Sequence, residues 1–239
     1  MTGPRIVVIT GASRGIGRAV ALEMAGPDTH IVAVARTQGA LEELDDAIAA
    51  KGGPATLVPL DIRDFDALDR LGMALLEQHG RVDAVFANAG VLGKLSPLAH
   101  IEEKVWREVM DVNVTAVWRL VRALDPALRR SEAGRVLFVT SGVARAPKAY
   151  WAGYAISKAA IDAMAKIYAQ ESEKAGIRAN LISPGPIRTN MRAKAMPGED
   201  PDTLDTPEML APHIARLLSP ETEETGRIWD YRTKDWLDG

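Results

Sequence analysis

Short aliphatic and β-branched runs alternate along the chain with longer stretches whose apolar positions recur every three to four residues. The runs at 6–10, 30–35, 56–60, 82–87, 135–140 and 178–182 mostly lack a polar alternation, which predicts strands covered on both faces. Between them, the spacing of Leu41, Leu44 and Ile48, and of Leu68, Leu71 and Leu75, predicts amphipathic helices. Strands that alternate with helices imply βαβ units, so the expected fold class is α/β: a doubly wound parallel sheet with helices on both faces. No repeat, low-complexity tract or linker divides the 239 residues, and a single domain over 1–239 is expected. One stretch, 196–207, is rich in Pro and acidic residues and is flanked by helical pattern. It reads as part of a small lid over about 190–207, since long loops in such folds commonly cover a site.

Composition narrows the chemistry. The chain has no Cys, which excludes a disulfide framework, a zinc-thiolate site, an iron–sulfur cluster and a cysteine nucleophile. Its four His show no ligand spacing, so no metal is expected. With 29 Lys+Arg against 32 Asp+Glu there is no electrostatic footprint for nucleic acid. The apolar run near the start is too short for a secretory segment, and no run approaches a membrane span, so a soluble cytoplasmic protein without a membrane partner is expected.

Ligands of open α/β sheets bind beyond the carboxyl ends of the strands. The first strand leads into Thr10, Gly11, Ala12, Ser13, Arg14, Gly15, Ile16 and Gly17, where a helix begins. Glycines there allow a tight turn and close backbone approach, and the helix start offers free N–H groups to a pyrophosphate. The spacing is G-x-x-x-G-x-G, and a P-loop is excluded because Ile16 and Gly17 stand where it needs Gly and Lys. A plain glycine-rich turn is the alternative. No Asp or Glu lies between Thr29 and Leu41 to bind a ribose 2′-hydroxyl. Arg36 ends the second strand instead, with Arg14 in the loop. Two guanidinium groups suit a 2′-phosphate, which favours NADP(H), with NAD(H) possible. Asp61, beside Ile62 after the third strand, could accept from an adenine amino group or cap the next helix. After the fourth strand, Asn88, Ala89 and Gly90 form a turn that would let backbone approach a ribose.

The fifth strand delivers Ser141, and thirteen residues later Tyr154 opens Y-x-x-x-K with Lys158. Four residues apart on a helix, phenol and ammonium share a face. A cation that close is expected to lower the phenol's pKa toward working pH and so fit Tyr154 for general acid/base work. Such pairs also occur by chance on surface helices. Asn113 lies on the helical segment after the fourth strand, where a lone Asn would ordinarily be solvated or locally bonded.

Taken in order, T-G-x-x-x-G-x-G at 10–17, N-A-G at 88–90, Asn113, Ser141, Y-x-x-x-K at 154–158 and Pro184-Gly185 resemble the short-chain dehydrogenase/reductase family, in its NADP-preferring single-domain form with a Rossmann-like sheet. The resemblance implies hydride transfer between NADP(H) and a small carbonyl or secondary alcohol. It implies Tyr154 as proton donor or acceptor, and Lys158 depressing its pKa and holding the nicotinamide ribose. Ser141 would bond the substrate oxygen, and Asn113 would hold a water linking Lys158 to solvent. Pro184, Gly185, Ile187 and Thr189 would form the nicotinamide-side turn, with the Ile187 backbone and Thr189 hydroxyl on the carboxamide. A homodimer or homotetramer assembled through helices near 101–129 and 152–175 is also implied. Two departures stand out: Ala87 where many members have Asn, and a tail over 226–236 without the usual glycine-rich finish. A dinucleotide-binding sensor or scaffold without turnover is the competing class.

Overall fold

The computed structural model describes residues 3–237, so the outer two positions at each end of the expected 1–239 unit lie outside the described residues. The predicted runs form β1 (Arg5–Thr10), β2 (Thr29–Ala35), β3 (Ala55–Pro59), β4 (Ala84–Ala87), β5 (Arg135–Val139) and β6 (Arg178–Ser183). Two short strands follow, β7 (Ile228–Asp230) and β8 (Asp235–Leu237). One sheet holds them in the order β3-β2-β1-β4-β5-β6-β7-β8, with every pair parallel except β7 and β8. The fold is therefore the doubly wound α/β sheet expected from the pattern. The strand order reverses between β1 and β4, and the crevice beyond their carboxyl ends is where such sheets receive ligands.

The helices are α1 (Gly15–Met24), α2 (Gln38–Ala49), α3 (Phe65–His79), α4 (Glu103–Met110), α5 (Ala116–Leu128), α6 (Gly142–Arg145), α7 (Ala152–Ser172), α8 (Asn190–Ala195) and α9 (Pro207–Leu217). Alternate strand residues feed two cores. Val8, Val32, Val85 and Phe138 pack with Leu68, Leu124 and Ile161 of α3, α5 and α7. Val7, Ile9, Ile31 and Phe86 pack with Val20, Leu44 and Ile214 of α1, α2 and α9. Both faces of each central strand are consumed, which is why those runs carry no polar period.

Three local features differ from the sequence expectation. The tail that lacks a glycine-rich finish still extends the sheet: Trp229 and Trp236 sit opposite each other across β7 and β8, edge to face at 5.4 Å. The cap of α3 is Asp64, whose carboxylate accepts from the Ala67 N–H at 2.9 Å, and not Asp61. The helical segment holding Asn113 is interrupted by a π-helical turn, Asp111–Thr115, closed by a bond from the Ala116 N–H to the Asp111 carbonyl five residues back. The 190–207 region contains α8 and a 3-10 turn, Pro201–Thr203. It is strapped by ion pairs of Arg188 with Asp202 and of Arg192 with Glu199. Among the described residues no helix is long and apolar enough to cross a membrane.

Candidate active site

The crevice is built first from backbone. Thr10, ending β1, accepts on its Oγ1 from the Asn88 and Ala89 N–H groups at 3.1 Å each, and the Asn88 amide donates back to the Thr10 carbonyl at 2.9 Å. This ties the exits of β1 and β4 together. Gly17 is demanded by that junction: a Cβ there would stand 2.3 Å from the Gly11 carbonyl oxygen and 2.7 Å from the Asn88 amide nitrogen. Gly15 is demanded by conformation, with φ +55, and a Cβ on it would approach only the Thr189 methyl, at 3.7 Å. The glycine loop therefore faces the turn after β6. Arg14, in extended backbone at the start of α1, supplies no side-chain cap, so the first amides of α1 remain available to an anion. These features fit a pyrophosphate.

Around the loop, Arg14 is exposed, Ser13 is half-buried and Ile16 packs into the second core. Arg36 reaches outward at the end of β2, its side chain 60% exposed, 4.0 Å from the Asp61 carboxylate. Asp61 itself is engaged by Arg63, at 2.6 Å. That bond holds its pKa down to about 2, so it is an anion with its oxygens already in use. Ile62 is partly buried against the first core.

The other end of the crevice is a network of buried side chains. Asn113 is 1% exposed; its Oδ1 accepts from the Val91 N–H at 2.8 Å, and its Nδ2 donates to the Val91 carbonyl and to Ser157 Oγ, both at 2.9 Å. Ser157 in turn donates to the Tyr154 carbonyl at 2.8 Å. Lys158, 5% exposed, donates to the Val139 carbonyl at 2.8 Å, and its Nζ lies 5.6 Å from the centre of the Tyr154 ring. Gly90 closes over this group: a Cβ there would lie 3.3 Å from Asn113 Oδ1 and 3.7 Å from Lys158 Nζ. Ser141, before α6, hydrogen-bonds the Tyr154 side chain. Trp151 meets Tyr154 edge-on at 6.1 Å.

One electrostatic expectation is corrected. Tyr154 is not lowered toward neutrality: burial pushes its pKa up to about 12, against the opposing hydrogen bond from Ser141. Lys158 bonds a backbone carbonyl instead of the phenol, and burial brings its own pKa down to about 8, partly offset by Asp162. Desolvation is the largest influence on both groups. At neutral pH the site holds a protonated phenol beside a largely protonated amine.

The turn after β6 brings Pro184, buried, and Gly185, at φ +71, beside the crevice. Ile187 is buried and bridges Asp205, while the Thr189 hydroxyl accepts from the Arg192 N–H at 3.2 Å as the cap of α8. Tyr150, the residue before Trp151, is 62% exposed. It lines a separate apolar cleft of about 480 Å³ with Leu98 and Ile156. Ile156 lies two residues from Tyr154, about 200° around α7, so that cleft is on the other side of the helix. The sequence motif includes Thr10 but not the role of its hydroxyl, and it passes over Ser157; these are the two hydroxyls that lock Asn88 and Asn113. Their only signal is a hydroxyl at a position where the surrounding pattern calls for an apolar residue.

A family model described as short chain dehydrogenase matches residues 5–200. The oxidoreductase YciK of Escherichia coli K12 is 35% identical over 230 residues, spanning 95% of this chain and 91% of its own. A short chain dehydrogenase structure from Shigella flexneri 2a, complexed with NADP, aligns with TM-score 0.90 at 34% identity over 96% of this chain and 98% of that one. One from Escherichia coli CFT073, complexed with NADPH, aligns with TM-score 0.89 at 35% identity over 95% and 96%.

Proposed function

The chain belongs to the short chain dehydrogenase family, and from that premise we propose that it is an NADP(H)-dependent oxidoreductase interconverting a small carbonyl compound and its secondary alcohol. The single observation that carries the reading is the convergence of Ser141, Tyr154, Lys158 and Asn113 beside the open amides of α1.

The residues present fit the cofactor. Gly11, Ser13, Gly15, Ile16 and Gly17 would cradle the pyrophosphate with backbone, next to the uncapped start of α1, and the Arg14 and Arg36 guanidinium groups would take the 2′-phosphate. Asp61 and Ile62 would flank the adenine. Asn88, Ala89 and Gly90 would border the ribose that Lys158 would hold, and Pro184, Gly185, Ile187 and Thr189 would receive the carboxamide side. The NADP and NADPH complexes of the two similar structures support this choice. When bound, the cofactor supplies the hydride in reduction and accepts it in oxidation.

The chain's own work is the proton. Ser141 and Tyr154 point hydroxyls at one substrate oxygen. A phenol held near pKa 12 starts reduction as the donor form, and a buried ammonium at Lys158 stabilises negative charge as the proton leaves. Asn113 braces Val91 and, through Ser157, the first turn of α7; with both of its amide hydrogens engaged, a water refilling the proton would have only the remaining lone pair of its Oδ1 to bond. The whole chain acts as one catalytic domain, with 190–207 as the lid over the substrate. The long helices α4, α5 and α7 are its assembly face for a homodimer or homotetramer.

The test is Tyr154→Phe, assayed on ketones, aldehydes and 3-oxoacyl thioesters by NADPH absorbance and by NADPH binding fluorescence. The expected result is NADPH affinity within about twofold of wild type, with turnover falling about 10²- to 10⁴-fold. Retained turnover overturns the assignment.

A further inference from the structure

We propose that Asp162 is a positioning residue for this reaction: through Thr140 and Arg145 it fixes the Ser141 turn against the Tyr154–Lys158 face of α7. This rests on the roles given above to Ser141, Tyr154 and Lys158.

Asp162 stands four residues beyond Lys158 and eight beyond Tyr154, on the same face of α7. Its side chain is only 14% exposed. One carboxylate oxygen accepts from the hydroxyl of Thr140, a residue 1% exposed that immediately precedes Ser141. The other lies 3.5 Å from Arg145 Nη1. Arg145 is the last residue of α6, the four-residue helix that follows directly on Ser141. Its second nitrogen is 3.4 Å from Ser183 Oγ and 4.0 Å from Asp230, the last residues of β6 and β7. The cluster thus ties the exits of β5, β6 and β7 to the helix that carries the phenol and the amine. A helix of four residues has too few bonds to hold its own position, so α6 and the Ser141 turn take theirs from these contacts.

The energetics favour a role at the site over one in stability. A buried carboxylate is costly, and apolar replacements at such positions often leave folding unharmed or improve it. Burial does raise the pKa of Asp162, against the pull of Thr140, Arg145 and Lys166. The groups facing it are Thr140 from the exit of β5, Arg145 from α6, and Lys158 and Lys166 from α7, with Ser183 and Asp230 beyond Arg145. Asp162 is also the acid that favours the charged form of Lys158.

Two variants separate its charge from its bond. Asp162→Asn keeps an acceptor for Thr140 and removes the charge; Thr140→Val removes the bond and keeps the charge. Lys158 is followed by NMR of ¹³C-lysine, assigned with Lys158→Met, beside NADPH binding and turnover of the best substrate in the carbonyl panel. In Asp162→Asn the Lys158 midpoint should fall by roughly half a unit to one unit, carrying the alkaline limb of turnover down with it. In Thr140→Val the midpoint should stay and kcat should fall about tenfold with KM for NADPH unchanged, the loss expected of a misplaced Ser141. A kcat within twofold of wild type in both variants overturns the proposal, whether or not the Lys158 midpoint moves. Tyr154→Phe run in parallel separates the two ideas: an active Tyr154→Phe defeats the acid/base reading, whereas an inactive one beside fully active Asp162 and Thr140 variants defeats only the positioning role.

Discussion

The two ends of the crevice are made of different materials. At the α1 end the chain presents backbone amides and exposed guanidinium groups, with Arg36 60% exposed and Arg14 uncapping its helix. At the α7 end it presents buried side chains already bonded to one another, from Val91 through Asn113 and Ser157 to Tyr154. The contrast follows from what each end must do. A phosphate is held by the helix dipole and by charge, which tolerate some motion of the donors. Proton transfer needs hydroxyls fixed to within a fraction of an ångström, which only a packed and fully bonded surround provides.

That contrast can be broken at both ends. The largest effect is expected at Tyr154, where loss of the hydroxyl removes two to four orders of magnitude in turnover and spares NADPH binding. At the opposite end, Arg36→Ala should weaken NADPH about ten- to a hundredfold, the usual worth of a charge-assisted bond, with NADH changed by less than threefold in the same fluorescence titration. Equal losses for both dinucleotides would remove the 2′-phosphate argument. Asn113→Ala should lower unfolding stability by about 1–3 kcal/mol in urea melts, because it orphans the buried amide and carbonyl of Val91, whereas Arg36→Ala should leave the melt unchanged. The smallest effect is at Asp61. Its depressed pKa contributes stability that is present above the ordinary carboxylate value and lost as pH falls toward about 2. Arg63→Ala should raise the Asp61 midpoint toward the ordinary range by NMR, and should cost well under 1 kcal/mol at neutral pH because the pair is partly solvated.

Much of the sheet was legible in the sequence because burial on both faces leaves a continuous apolar run, and β1 to β6 begin and end within two residues of those runs. Strands β7 and β8 were not, since three residues each are too few to show a period, and their pairing depends on Trp229 meeting Trp236. The residue types of the site were legible at fixed spacings along α7 and after each strand. Their partners were not: that Lys158 bonds Val139, that Asp61 is occupied by Arg63, and that Thr10 clamps Asn88 are contacts made only after the strands are laid side by side. The sign of the Tyr154 shift was missed for the same reason, because helical spacing reports proximity and says nothing of how much water the fold removes.

The π-helical turn at Asp111–Thr115 has a consequence for how this fold can change. A helix widened by one residue can be restored by deleting one, and the segments on either side then keep their phase, so the leucines of α5 would still meet α3. What would be lost is the aim of the Asn113 side chain at the amide and carbonyl of Val91 and at Ser157. A one-residue deletion there would therefore reach the chemistry through Asn113 and also leave the Val91 amide and carbonyl unpaired, so stability and chemistry meet in that one turn.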